Sequence, residues 1–345
     1  MKKTKDFLLA GICIGAALLL LLFPSDITAE FRKGLSVSGS TLLPSLFPFM
    51  VLAQFIATTN LGRLLCRPLS PVLRLLKLPA CAGNVMVMGL LGGYPSTAQL
   101  VSVYVSKGAL TKNQGNFLLC AFTAAGPAFL ISGVGAAMHG SLRFGLLLYF
   151  GGVLTSAVLA FLFRGLATGE QGRPARFEPL PYMQGFVEAV RGSAASLINV
   201  TAFVCLFSAL SFLFVNIPLT QGVLEISMGC LNACALSPML SLVLTASFIG
   251  FSSLSIICQV GGLVVPCGIH LKHFLFSRLA AAVLQPLCVL LLNLLFPVEQ
   301  QVFSTVNPSF LSFSAAVSVS AVLVAIMAML LLSAIEKAVE SRHTI

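Results

Sequence analysis

Two short stretches of this chain put helix-breaking residues directly beside side-chain donors. The first is Gly92-Gly93-Tyr94-Pro95-Ser96-Thr97, followed by Gln99; the second is Gly250-Phe251-Ser252-Ser253, followed by Ser255 and Gln259. Pro removes a backbone donor and paired Gly weakens a helix, so each stretch reads as the end of one helix and the start of another. A helix restarting at such a break offers free N–H groups and the positive end of its dipole, which suits an anionic group. Hydroxyls and amides nearby add further donors. Gly93, Tyr94, Pro95, Ser96, Thr97, Gln99, Ser252, Ser253 and Gln259 are therefore candidate substrate-binding residues. Ser45, in the Pro-interrupted helix before the first break, and Asn199, in the matching stretch before the second, join them. The competing reading is a pair of kinked helices whose Ser and Thr hold helices together.

Glu225 is the acid that stands out, lying in a weakly apolar stretch with no Lys or Arg nearby. An ionisable group at membrane depth is a functional hypothesis by default. Its carboxylate could carry a coupling proton or meet a substrate hydroxyl; the alternative is a cap on a short surface helix. Other chemistry is missing. There is no G-x-x-x-x-G-K-[ST] phosphate loop, no H-E-x-x-H, and no convincing metal site around His270 and His273. The sequence predicts a non-enzyme with no catalytic residues, no metal and no cofactor.

The elements that must position these groups are apolar. Hydrophobic residues make up 58% of the 345 and charged residues only 9%, with mean hydropathy +1.01. A water-facing domain carries about 25% charged residues, so most of this surface faces lipid. The net charge of +10 is spread over short loops, where Lys and Arg set topology; no nucleic-acid footprint results. The ten cysteines are scattered through apolar stretches without a C-x-x-C, which reads as buried small residues rather than disulfides.

Seven full spans are predicted at Phe7–Phe23, Leu35–Thr58, Gly115–Ala137, Leu142–Phe163, Ala194–Val215, Arg278–Phe296 and Phe310–Leu332. The first follows a basic N-terminus and resembles a signal peptide, but its length favours a retained helix. Arg63–Pro79 reads as a basic amphipathic stretch on the membrane surface. Cys81–Val105 and Pro238–Val265 are apolar but interrupted, and non-helical backbone at membrane depth survives only against protein or a wet cavity. Both are predicted to be re-entrant hairpins. With both so treated, 13 of the 20 Lys and Arg fall on the N-terminal side, against 8 if both cross, and the positive-inside rule favours the former.

The chain also repeats itself. Gln99, Gly108 and Lys112 recur as Gln259, Gly268 and Lys272, and Gly93-Tyr94-Pro95-Ser96 aligns with Gly250-Phe251-Ser252-Ser253. Three spans separate the starts of the two units, so the second is predicted to be upside down. The expected fold is an all-α polytopic membrane protein of two inverted repeats, each with a re-entrant hairpin, the plan of secondary transporters. Its parts are an N-terminal helix and loop (1–33), repeat one (34–163), a cytoplasmic loop (164–191), repeat two (192–297) and a C-terminal helix and tail (298–345). The expected partners are a small-molecule solute and the lipid bilayer, with self-association left open.

Leu43-Pro44-Ser45-Leu46-Phe47-Pro48-Phe49, Gly92-Gly93-Tyr94-Pro95-Ser96 and Gly126-Pro127-Ala128-Phe129 together resemble the YlbJ-type sporulation integral membrane proteins. These belong to the wider nucleoside recognition, or Gate, group, which is similar to the core of concentrative nucleoside transporters. The resemblance covers roughly Gly34 to Phe296. It implies passage of the spore solute dipicolinic acid, or something similar, across the outer forespore membrane of an endospore-forming bacterium. Other Gate proteins imply nucleosides or further metabolites, and a non-transporting spore-envelope assembly protein is the alternative of a different class.

Overall fold

The computed structural model describes residues 2–167, 179–214 and 218–297, and every regular element within them is helical. Helices α1 (Lys2–Leu22) and α2 (Pro24–Val37) lead through a π-helical stretch into α3 (Leu43–Thr58). Two short helices, α4 (Asn60–Cys66) and α5 (Ser70–Leu75), carry the basic segment across to α6 (Cys81–Leu91) and α7 (Tyr94–Ser106). Helix α8 (Lys112–Phe122), the π-helical segment Ala128–Met138, α9 (Leu142–Leu162), α10 (Arg164–Ala167) and α11 (Tyr182–Leu210) follow. The described chain closes with α12 (Pro218–Leu224), α13 (Ile226–Ala233), α14 (Pro238–Phe251), α15 (Ser253–Val264) and α16 (Lys272–Leu295).

The distribution of side chains is that of a membrane protein. On α16, Phe276 and Val283 are 67% and 62% exposed, whereas Ser277, Arg278 and Gln285 are buried. Apolar groups face outward and polar groups inward, which water would not permit and lipid requires. Five described segments are helical, long and apolar enough to cross a bilayer: Pro24–Thr58, Leu142–Leu162, Tyr182–Leu210, Pro238–Cys267 and Lys272–Leu295. The chain is an integral membrane protein. Four of these overlap predicted spans. The predicted span Gly115–Ala137 is two pieces, α8 and the π-helical segment, separated by irregular backbone at 123–126. Phe310–Leu332 lies outside the described residues.

Helices α6 and α7 form the first hairpin where the sequence places it. The Asn84 amide donates to the Tyr104 hydroxyl at 3.1 Å, and the Cys81 thiol reaches the Ala109 carbonyl. The two arms therefore run antiparallel and return to their own side. Gly93, at φ +83°, makes the reversal in a conformation that a side chain would oppose.

The second predicted hairpin, Pro238–Val265, is corrected. Helices α14 and α15 follow one another through the fold instead of folding back. At one end the Cys234 thiol meets the Met138 carbonyl; at the other Cys267 lies 3.2 Å from the Ser106 hydroxyl. Met138 ends the crossing that α8 begins beside Ser106, so residues 234 and 267 sit on opposite faces. The physical reason is the joint. Ser252 and Ser253 both have positive φ (74° and 59°), which interrupts the helix without reversing it.

A hairpin does exist nearby, in the weakly apolar stretch around Glu225. Helices α12 and α13 pack so closely that a Cβ on Gly229 would sit 2.2 Å from the Gly222 Cα. The Asn232 amide bonds the Gln221 side-chain oxygen across their base. Glu225 is the turn between them.

Candidate functional site

The interrupted helices meet at the centre of the molecule. Tyr94, the first residue of α7, donates its hydroxyl to the Ile249 carbonyl at 2.7 Å. Next to this contact lies a partly enclosed cavity of about 70 Å³. Its polar lining comes from Tyr94, Glu225, Ser227, Ser255 and Gln259, with Gly93 and Pro95 at the hairpin turn. Its apolar wall includes Met50, Phe129 and Val200.

Each polar group arrives on a short, specific element. Glu225 precedes α13 and accepts from the Met228 backbone N–H at 2.8 Å. It is a helix cap, as one sequence reading had it, but the helix is buried: Glu225 is 1% exposed and faces the cavity. The backbone N–H groups of Ser227 and Ile226 and the Ser227 hydroxyl also bond this carboxylate, so most of its acceptor capacity is engaged by its own helix start. Ser227 is the second residue of α13, at 1% exposure. Ser255 and Gln259 are one helical turn apart on α15, joined by a 3.3 Å bond from the Gln259 amide to the Ser255 hydroxyl. The starts of α7, α13 and α15 thus converge here, and their unpaired N–H groups give the region a positive bias.

A second buried charge stands behind the site. Arg278 of α16, 3% exposed, donates to the carbonyls of Thr123 at 2.6 Å and Cys120 at 2.7 Å. These carbonyls belong to the end of α8, where the helix stops and leaves acceptors unpaired. The guanidinium supplies the missing donors. It was not singled out from the sequence, where it reads as the first residue of a span.

The sequence candidates divide into three groups. Gly93, Tyr94, Pro95, Gln259 and Glu225 line the central cavity. Ser96 and Gln99 do not; they line a second cavity, on the side of α7 away from the first. The remaining candidates have their polar groups engaged or turned elsewhere. Thr97 donates back to the Gly93 carbonyl, Ser252 to those of Ile249 and Gly250, and Ser45 to that of Thr41. Ser253 is fully buried with an unpartnered hydroxyl outside the cavity lining, and Asn199 lies on the exposed face of α11. Ser227 was not among the sequence candidates, and Ser255 was named only as a donor beside the second break. Ser227 could have been found as the hydroxyl two residues from the isolated acid. Among the described residues no group of His, Cys, Asp and Glu could hold a metal ion.

Intramembrane hairpins, an interrupted crossing and a central cavity with a few polar groups in an apolar wall define a polytopic membrane protein with an interior site. The chain is similar to the sporulation integral membrane protein YlbJ of Bacillus subtilis (strain 168), 22% identical over 341 residues, covering 85% of this chain and 84% of the relative. The YlbJ-type resemblance carried by the motifs thus extends over most of the chain. No family model matches the sequence. No solved structure matches it.

Proposed function

We propose that the chain is a carrier for a small polar or anionic solute, that the solute is dipicolinic acid, and that its setting is sporulation. The central cavity carries this reading, because polar groups and three helix starts meet there inside an apolar surround. A scaffold protein has no need of irregular backbone within the bilayer, where each unpaired polar group is costly. Ligand-sized pockets run to several hundred Å³, so a cavity of about 70 Å³ corresponds to a contracted site that widens to load. The relative's name supports the sporulation setting, and the YlbJ-type resemblance is the support for the outer forespore membrane as the carrier's location.

Two inverted units fit the element order, with a register different from the sequence alignment. The first unit is α3, the α6–α7 hairpin, the interrupted crossing from α8 through Ala128–Met138, and α9. The second is α11, the α12–α13 hairpin, the interrupted crossing α14–α15, and α16. Under this register Gly92-Gly93 pairs with Glu225 as hairpin turns. The basic face, bearing Arg67, Arg74, Lys107 and Lys112, is the cytoplasmic one by the positive-inside rule.

Glu225 bears on the choice of solute. A carboxylate beside a bound anion is tolerable when protonated, so an anionic solute travels with a proton. A nucleoside is the second reading, favoured by the same residue, since an ionised Glu225 accepts hydrogen bonds from ribose hydroxyls. Uptake into proteoliposomes separates these readings. Dipicolinate accumulation that rises with an inward proton gradient is expected; nucleoside uptake with no dipicolinate uptake would favour the second reading, and neither would remove the carrier.

A further inference from the structure

A second cavity, of about 510 Å³, lies between the α6–α7 hairpin and helices α3 and α11. Both cavities are mostly apolar, but the second carries more polar groups, with Gln54, Thr58, Ser96 and Gln99 inside and Lys107 and Glu188 among its lining residues. Its place is set by four elements that line both cavities in the same order. On α3, Met50 faces the central cavity and Gln54 the second; on α6, Leu91 and Met88 divide in the same way. On α7 the division falls between Pro95 and Ser96, and on α11 between Val200 and Gly192. In every case the residue nearer the basic face belongs to the second cavity. The two spaces are therefore stacked along one axis.

What separates them is thin. Met50 and Gln54 are one helical turn apart, about 6 Å at 1.5 Å per residue. Met88, 2% exposed, fills this level by packing on Ala53 and Ala57, with Leu100 against them. Met50 is buried to the same degree, at 3%. Methionine is unbranched and adapts its shape at low cost, which suits a barrier that must part. Glu225, Ile226 and Ser227, at the turn of the α12–α13 hairpin, line another side of the central cavity. Within the second cavity the Gln54 amide nitrogen is buried without a partner, a donor left free for a polar guest.

We propose that the second cavity is the cytoplasmic vestibule of the solute path, a polar loading site for hydrogen-bond-accepting solutes, and that Met50 and Met88 form its inner gate. This rests on the carrier reading above for its purpose, but its geometry can be tested without transport. In membrane vesicles of defined orientation, a membrane-impermeant thiol reagent is applied to one face, and labelled cysteines are located by mass spectrometry. Native Cys81, which lines the vestibule, and a Gln99→Cys variant should react from the cytoplasmic face and not from the other. A Ser255→Cys variant in the central cavity should be protected from both. Adding Met88→Ala should raise its labelling from the cytoplasmic face at least tenfold, whereas Met88→Leu, which keeps the volume, should not. Met50→Ala provides the same opening should Met88→Ala fail to fold. Labelling of Gln99→Cys from the opposite face, or unchanged protection of Ser255→Cys when the methionines are truncated, overturns the proposal. Labelling as expected with no uptake of any solute would leave vestibule and gate standing and count against the carrier reading alone.

Discussion

The phenol of Tyr94 donates a 2.7 Å hydrogen bond to the carbonyl of Ile249, 155 residues further along the chain. Each partner sits at a place where a helix is interrupted, Tyr94 at the start of α7 and Ile249 in the last turn of α14. A carbonyl in the last turn of a helix has no partner within it, and at this depth no bulk water replaces one. The bond therefore ties the turn of the α6–α7 hairpin to the joint of the interrupted crossing and closes one wall of the central cavity.

Tyr94→Phe removes that bond with little change in volume and leaves the buried Ile249 carbonyl only the long 3.4 Å contact from the Ser252 hydroxyl. A buried unsatisfied acceptor costs about 1–3 kcal/mol, so the purified variant should unfold at a lower temperature in detergent. Tyr149→Phe is the comparison, because its 3.4 Å contact with the Leu90 carbonyl is long and only part-buried. Equal melting temperatures for wild type and Tyr94→Phe would show that the tie contributes nothing.

Arg278 should prove more important than any loop cation. Each charge-assisted bond contributes roughly 1.5–3 kcal/mol, and Arg278 makes two to the end of α8. Arg278→Leu deletes both and orphans two carbonyls; Arg278→Lys keeps the charge but not the fork that reaches both acceptors. Thermal stability should fall in the order wild type, Lys variant, Leu variant. A Leu variant as stable as wild type would mean that burying the cation offsets everything its bonds contribute.

The direction of α14–α15 fixes the side on which Lys272 emerges. A hairpin over Pro238–Val265 would leave it on the face opposite Lys107, whereas the crossing puts both on one face, with a Cβ at Gly268 falling 2.6 Å from the Lys112 Nζ. Lys107→Cys and Lys272→Cys should therefore be labelled from the same side of oriented vesicles. Labelling from opposite sides would restore the hairpin.

The first hairpin is legible in the sequence because Gly-Gly-Tyr-Pro both breaks a helix and permits a reversal, and the loops on either side carry matching charge. The second break has similar residue types, yet composition does not encode direction. Two left-handed serines interrupt a helix as well as a glycine pair does, and whether the chain turns back depends on what it packs against. Here Gly250 lies flat on α16 at Ala281, which holds α14 on its course. The real second hairpin escapes notice because its arms are seven and eight residues long, far shorter than the about 20 residues of a spanning helix. Glu225 was legible for a different reason, as an acid without a cation in an apolar stretch. Side-chain direction was the least legible feature. Asn199 and Val200 are one residue apart, a rotation of about 100° on a helix, and the cavity took the valine.

Glu225 gives the last prediction. It does two things at once, capping α13 through the Met228 N–H and facing the central cavity, and the two can be separated. Glu225→Gln keeps a side-chain oxygen that can accept from Met228, so α13 should start where it does now and the protein should accumulate normally. What the amide lacks is a proton to gain and lose. If Glu225 carries the coupling proton, the Gln variant should fail to concentrate dipicolinate against its gradient while still exchanging internal for external solute. Glu225→Ala removes the cap as well, which costs about 0.5–2 kcal/mol at an ordinary helix start, so it should also be less stable. Proteoliposomes preloaded with solute measure exchange, and an imposed proton gradient measures accumulation. Full accumulation by Glu225→Gln would confine this residue to capping, and loss of exchange together with accumulation would make it part of the solute site rather than the proton path.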